Sequence, residues 1–156
     1  MIGNLHPKVQ LETLNQSINK KKFVILDTMN IWIENFRDIL EKVISESNLI
    51  SVNDEEARLL TDEYSLFKAA IKILKMGPKY VIIKKGEHGS ILFSKNKLFV
   101  IPAFPVKKVV DPTGAGDSFA GGIAGYLTNH KINFENIKNA IVYGTIFSSF
   151  TVESFG

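Results

Sequence analysis

One stretch of the sequence has the composition and spacing to hold a phosphate beside a carboxylate. It runs Asp111-Pro112-Thr113-Gly114-Ala115-Gly116-Asp117-Ser118-Phe119-Ala120-Gly121-Gly122. The three small residues Gly114, Ala115 and Gly116 let the backbone turn tightly and leave no bulky side chain between its amides and a ligand. A helix-compatible run starts there, so unpaired N–H groups and the positive end of a helix dipole aim at the same spot. Together these form an anion hole suited to a phosphate, and Asp117 sets a carboxylate in the first turn beside it. The same residues also allow a plainer reading, in which Gly114 and Gly116 only form a turn and Asp117 only complements the dipole. A Walker A loop is excluded, because no Lys-Ser/Thr pair follows the glycines. The G-x-G-x-x-G dinucleotide pattern fits imperfectly, since Phe119 stands at its third glycine.

Two further segments hold polar residues at suggestive positions. Asn53 followed three residues later by Glu56 is a capping box, worth about 0.5–2 kcal/mol to a helix with no ligand involved. Lys84-Lys85-Gly86-Glu87-His88-Gly89 places two glycines just past an apolar run, where a simple hairpin turn accounts for them. His6, His88 and His130 have no mutual ligand spacing and read as surface or loop residues. Trp32 reads as core.

These segments need elements to position them, and the hydrophobic pattern supplies alternating helices and strands. A helix opens on Pro7 and runs to about Asn19 with Val9, Leu11, Leu14 and Ile18 apolar. Phe23 to Leu26 is a buried-type strand ending at Asp27. Ile31 to about Glu46 reads as one helix through Ile33, Phe36, Leu40, Val43 and Ile44. Leu49 to Val52 is a second strand, followed by a short helix from Asn53 to Leu60. Ser65 caps a helix with Leu66, Phe67, Ala70, Ile71 and Leu74 on one face, stopped by Gly77-Pro78. Tyr80 to Lys84 is a third strand, and Ser90–93 with 98–101 a hairpin around Lys95-Asn96-Lys97. Val106 to Val110 reads as the strand that leads into the glycine loop. Helices follow from Ala115 to about Leu127 and from Phe134 to about Phe150. Strands separated by helices of 10–15 residues indicate βαβ units. The expected class is therefore α/β: three αβα layers around a mainly parallel sheet with one antiparallel excursion. In such sheets ligands bind outside the carboxyl ends of the strands.

The Asp111–Gly122 segment resembles the C-terminal signature of the ribokinase-like (PfkB) carbohydrate kinases. Other segments agree in order: Asn53-Asp54-Glu55-Glu56 resembles the N-x-x-E motif, Lys84 to Gly89 the strand-end G-x-x-G turn, and Asp27-Thr28-Met29-Asn30 a D-x-x-N segment. The resemblance implies that residues 1–156 form the C-terminal, ATP-binding and catalytic part of such a kinase. It implies that Asp117 is the catalytic base and that the amides of Gly114, Ala115 and Gly116 hold the developing phosphate charge. It implies ATP contacts at Lys84, Gly86, Gly89, Thr113, Gly114 and Gly116, and Mg²⁺ organised by Asn53 and Glu56. A monovalent cation such as K⁺ would sit at Asp111 and Thr113, beside the anion hole. The small residues between Asn139 and Phe150 resemble the wall of an adenine pocket, and close helix packing explains them equally.

The implied activity is transfer of the ATP γ-phosphoryl group to a hydroxyl of a sugar or nucleoside. The rival, from another class, is a non-catalytic α/β module that keeps the nucleotide loop for binding or assembly. Members of the family run to about twice this length, so the chain reads as a fragment without the sugar-binding half, apparently also stopping at Ser154-Phe155-Gly156. Such a fragment is expected to leave a sheet edge unpaired and to self-associate, as a homodimer for example.

Composition narrows the field further. With 156 residues, no cysteine, 45% hydrophobic and 22% charged residues and a net charge of +3, the length fits one domain. Disorder, disulfide scaffolds, thiolate metal sites and cysteine nucleophiles are excluded. The sequence pI is about 9.0, but the lysines are spread thinly and the longest run is Lys20-Lys21-Lys22, so no nucleic-acid partner is expected. No apolar stretch approaches the ~18 residues of a membrane span, and Met1 to Pro7 lacks a signal-peptide pattern. The expected location is cytoplasmic.

Overall fold

A computed structural model describes residues 1–16 and 23–153. Ile18, Asn19, the Lys20–22 run and Ser154-Phe155-Gly156 lie outside the described residues. The chain divides into two compact units. The first comprises the described residues up to Lys85 together with Ser90–Phe99; the second comprises Gly86–Gly89 and the described residues from Val100 onward.

A mixed sheet runs in the order β1 (Ile25–Asp27), β2 (Leu49–Asn53), β3 (Tyr80–Lys84), β4 (Ser90–Phe93) and β5 (Leu98–Ile101), all of it in the first unit except Val100 and Ile101. β1, β2 and β3 are parallel, with Asp27 paired to Ser51 and Asn53 paired to Lys84. β4 returns antiparallel to β3, with Lys84 opposite Ser90. Leu26, Leu49 to Val52 and Val81 to Ile83 are wholly buried. That is why they read as continuous apolar runs: a parallel strand covered on both faces has no polar side. β5 alternates instead, with Leu98 and Val100 exposed. Helices α1 (Pro7–Gln16), α2 (Asn30–Asn35), α3 (Arg37–Ser45), α4 (Asp54–Thr61) and α5 (Leu66–Lys75) supply Leu14, Ile33, Leu40, Val43, Ile44, Leu60 and Ile73 to the same core. The α/β class and the αβα arrangement around a mixed sheet are as the sequence indicates.

At the outer edge of β1 the chain's own N-terminal segment makes an isolated bridge. Ile2 joins β1 in parallel, its N–H donating to Ile25 O at 2.8 Å while Asp27 N–H donates to Ile2 O at 3.1 Å.

Four details differ from the sequence reading. The helix expected over Ile31–Glu46 is broken at Phe36, whose φ of −139° is not helical; no Gly or Pro marks the break. The Phe36 ring instead packs edge-on against His6 and lies 5.9 Å from Trp32, so tertiary contacts hold the corner. In α1 the buried positions are Pro7, Gln10 and Leu14, whereas Val9 is exposed. Gln10 is inside because its Nε2 donates to Gly3 O at 2.9 Å. In α5 the inner face is Ala69, Ala70 and Ile73, with Phe67 59% exposed. Residues 106–110 form no strand; Val110 N–H donates to Val152 O at 2.7 Å instead of to a neighbouring strand. No helix among the described residues is long and apolar enough to cross a membrane.

The second unit is a helix pair, α6 (Ala115–Thr128) and α7 (Phe134–Val152). Phe119, Ala120, Ile123 and Leu127 of α6 and Ile137, Ala140 and Ile141 of α7 are buried. Two glycines set how closely the helices approach. A Cβ on Gly144 would lie 2.6 Å from Phe119 O, and one on Gly122 would lie 2.9 Å from Gly144 Cα. The small residue at 144 therefore serves helix packing.

Gly121 offers the contrast, since a Cβ there meets nothing within 4 Å. Gly144→Ala should lower stability by about 1–3 kcal/mol through overpacking, while Gly121→Ala should raise it by about 0.5–1 kcal/mol through helix propensity. Urea unfolding of the two variants checks the pair; equal effects would overturn the packing assignment.

Candidate functional site

In the first unit the chemistry gathers at the carboxyl ends of the parallel strands. β1 ends at Asp27, β2 at Asn53 and β3 at Lys84. Asp27 pairs with Ser51, Ser51 and Asn53 are two residues apart on one strand, and Asn53 pairs with Lys84. With a side-chain period of two, Asp27, Ser51, Asn53 and Lys84 share one face of the sheet. The Lys84 side chain crosses β2, and its Nζ lies 3.3 Å from Asp27 Oδ1, with both side chains largely buried.

The capping box expected at Asn53 and Glu56 is fully formed. Asn53 N–H donates to Glu56 Oε2 at 2.8 Å, and Glu56 N–H donates to Asn53 Oδ1 at 2.7 Å. Local helix chemistry thus explains both residues, yet it uses one carboxylate oxygen of Glu56 and leaves Oε1. Glu56 is 5% exposed, and burial pushes its carboxyl above the ordinary value, opposed by the Asn53 N–H bond and the Lys84 charge and reinforced by Asp27 and Glu55. Thr28 Oγ1, Asn30 Oδ1 and Ser51 Oγ are buried with no hydrogen-bond partner. Apart from the Lys84 ammonium and the amide nitrogens of Asn30 and Asn53 the groups here are oxygens, a set that suits a hard cation keeping several waters, as Mg²⁺ does. Among the described residues no three His, Cys, Asp or Glu side chains converge to hold a metal by themselves. A cation at Asn53 and Glu56 would need water or ligand oxygens to complete its shell.

In the second unit α6 begins on Gly114, whose φ of 78° lies in the left-handed region that glycine reaches without strain. No side chain caps this end. Asp111 Oδ1 accepts from Thr113 N–H at 2.9 Å, which holds the Asp111 carboxyl below its usual range. Ala115 N–H donates to Pro112 O at 3.2 Å, whereas the Gly114 and Gly116 amides have no protein acceptor among the described residues. Of the three amides expected to hold an anion, two are therefore open. Asp117 is exposed in the first turn. Thr151 Oγ1 donates to Ser118 Oγ at 2.7 Å, tying the start of α6 to α7. Beside them an open groove of about 500 Å³ is lined by Ser118, Gly121, Gly122, Gly125, Tyr126, Tyr143 and Phe147.

The two glycines of the Lys84–Gly89 turn differ. A Cβ on Gly89 would lie 2.0 Å from Ile101 O, so close approach of the chain to itself already requires glycine. Gly86, at φ 55°, has nothing within 4 Å of a Cβ. Sequence reasoning also passed over Asp27 and Ser51 as site residues. The signal for Asp27 was present, an aspartate closing a buried apolar strand; Ser51, inside such a strand, gave none.

The chain belongs to the pfkB family of carbohydrate kinases, whose sequence profile matches residues 5–156. It is 35% identical over 131 residues to the cytidine kinase of Thermococcus kodakarensis, covering 80% of this chain and 46% of that protein. The aminoimidazole riboside kinase of Salmonella enterica, solved with aminoimidazole riboside and an ATP analogue, superposes with a TM-score of 0.84 at 22% identity, covering 94% of this chain and 51% of that one. A structure from Escherichia coli designated ribokinase II, in complex with ATP and Mg²⁺, matches with a TM-score of 0.68 at 30% identity over 80% of this chain and 39% of that one. The chain thus spans about half the length of the relatives it matches.

Burial of Glu56 gives a pH test. A carboxyl whose folded value is raised binds its proton more tightly in the folded than in the unfolded chain, so its contribution to stability is full below the ordinary value of 4.5 and is lost as pH rises through the raised one. Glu56→Gln keeps a side-chain oxygen for the capping box but does not titrate. Its urea midpoint should gain on the wild type from about pH 4.5 upward and then level off. Parallel pH profiles for the two proteins would contradict the burial effect.

Proposed function

We propose that this chain supplies the nucleotide site, anion cradle and base for ATP-dependent phosphorylation of a hydroxyl on a sugar or nucleoside. The observation that carries the reading is the start of α6: a left-handed Gly114, two amides without protein acceptors among the described residues and an exposed Asp117 within one turn. Membership of the pfkB family and relatives named as nucleoside and sugar kinases support the substrate class. The neighbours solved with ATP and Mg²⁺ or with an ATP analogue support the cofactors.

In this mechanism Asp117 accepts the proton of the substrate hydroxyl as its oxygen attacks the γ-phosphorus. The bond from that phosphorus to the β,γ-bridging oxygen breaks, and ADP leaves with the bond's electron pair. The N–H groups of Gly114 and Gly116 donate to the phosphoryl oxygens as charge builds on them, and the Ala115 amide joins by turning from Pro112 O. The Gly114 and Gly116 donors, already open, act without reorganisation at the moment of reaction, whereas the Ala115 amide must first give up its bond to Pro112 O. Asn53 and Glu56 would hold Mg²⁺, which when bound neutralises phosphate charge. Asp111 and Thr113 would hold a monovalent cation, and Gly86 leaves an open approach to nucleotide phosphates. Lys84 joins the nucleotide contacts only on leaving Asp27. A cytoplasmic location, a homodimer and the absence of nucleic-acid and membrane partners belong to the same proposal.

The chain's share of its relatives' length bears on activity. The 156-residue chain should bind ATP yet show no measurable transfer by itself, because positioning of the acceptor hydroxyl accounts for about 7–11 kcal/mol of such a barrier. In an assembly that turns over, Asp117→Asn should lower kcat by about 10²–10⁴-fold and leave ATP affinity unchanged or slightly improved. If Asp117 only complements the helix dipole, the same change costs about 0.3–1 kcal/mol of stability and leaves kcat intact. Measuring kcat, ATP affinity and melting temperature on this variant separates the two. A chain that binds no ATP would overturn the proposal, as would an Asp117→Asn variant that turns over at the wild-type rate.

A further inference from the structure

The ends of β1, β2 and β3 gather two buried carboxylates around one ammonium. Asp27 and Glu56 are 6% and 5% exposed, and the charge of Lys84 acts on both. Counted by themselves and fully ionised, these three groups sum to a charge of −1, and a divalent ion would attract the two carboxylates more strongly than one ammonium does. Unused hydroxyls lie beside them. Ser51 Oγ is fully buried on the strand that Lys84 crosses, shares its face with Asp27 and Lys84, and has no partner; Thr28 Oγ1, next to Asp27, is also buried and unpaired. A site designed only around an ion pair has no use for orphaned oxygens beside it, whereas a cation with its waters uses such oxygens directly or through solvent.

Lys84 reaches past its strand neighbour to meet Asp27. Its strand neighbour is Asn53, and Asp27 lies on the far side of β2, two inter-strand spacings of about 4.8 Å away. The ammonium is delivered across the sheet to the place where the carboxylate charge collects. Its contact with Asp27 is 3.3 Å, at the long end for a charge-assisted bond.

We infer that the Lys84 ammonium is a resident counter-ion standing in for a divalent cation, and that such a cation and Lys84 compete for the carboxylates of Asp27 and Glu56. When the cation binds, Lys84 leaves Asp27, and its freed amine reaches the anionic ligand that arrives with the metal. Lys84 is thus a positioning residue for the carboxylates that receive the metal. The inference rests on the divalent reading of Asn53 and Glu56 given above.

The test uses Mn²⁺ alone, without nucleotide, with free Mn²⁺ measured by electron paramagnetic resonance. Lys84→Met keeps the length and apolar stem of the side chain and removes the charge. It should bind Mn²⁺ about tenfold more tightly than the wild type, since a like charge a few ångströms from a divalent ion is strongly repulsive even in partly solvated surroundings. Asn53→Ala should weaken binding in both backgrounds. A purely structural ion pair predicts a less stable Lys84→Met variant with no gain in metal affinity.

The wild type gives a second readout that does not depend on how well the variant folds. Acetylation of Lys84 by acetic anhydride, resolved by peptide mass spectrometry, should rise several-fold on saturation with Mn²⁺ while the exposed Lys95 stays constant. If the wild type binds Mn²⁺ but the Lys84→Met variant binds no more tightly, or Lys84 labelling does not rise, the counter-ion role is overturned and the metal reading stands. If neither protein binds Mn²⁺, the metal reading falls and the inference with it.

Discussion

Three parallel strands covered on both faces constrain everything else in the first unit. A strand with no solvent face carries no polar side chain along its length except where a partner is supplied. β1, β2 and β3 accordingly run apolar, apart from Ser51 within β2, and end on Asp27, Asn53 and Lys84, with Asp27 paired to Ser51 and Asn53 to Lys84. The strands are short enough that these ends follow directly on the core. Apart from Ser51, the polar side chains of these strands stand at their last residues.

The same constraint explains why plain structural roles and functional ones coincide. The capping box at Asn53 and Glu56 satisfies the first amides of α4, and doing so fixes the Glu56 carboxylate in one orientation at the strand ends. Gly114 ends an irregular segment in a left-handed turn, and doing so leaves the first amides of α6 without side-chain acceptors. In each case the element that terminates local structure also presents a defined group. A local explanation is therefore no argument against a role in binding. Gly89 marks the opposite limit: its need for glycine is consumed by the backbone of Ile101 to Ala103.

Family membership, fold and local geometry carry different weight. The family and the αβα class rest on a match over nearly the whole chain and on superposition with solved kinases. The roles proposed for Asp117, Asn53 and Glu56 draw on their positions at an open helix start and a strand end. The chain covers 46% of the Thermococcus kodakarensis cytidine kinase and 51% of the Salmonella enterica aminoimidazole riboside kinase.

The sequence by itself determined the elements whose signals are local. Buried strands appear as apolar runs, α4 and α5 are announced by Asn53 and Ser65, and the start of α6 by Gly114, because each signal lies within a few residues of the structure it specifies. The candidate site was legible for the same reason at Asp111 to Asp117 and at Asn53 to Glu56. Tertiary structure alone decided the break at Phe36, made by packing on His6 and Trp32, and the burial of Gln10, which depends on a carbonyl seven residues away. It also decided that residues 106–110 form no strand, and that Lys84 faces Asp27 and not open solvent. Asp27 and Lys84 are 57 residues apart in sequence; only the register of three strands brings them together, and no spacing within one segment encodes a register between segments.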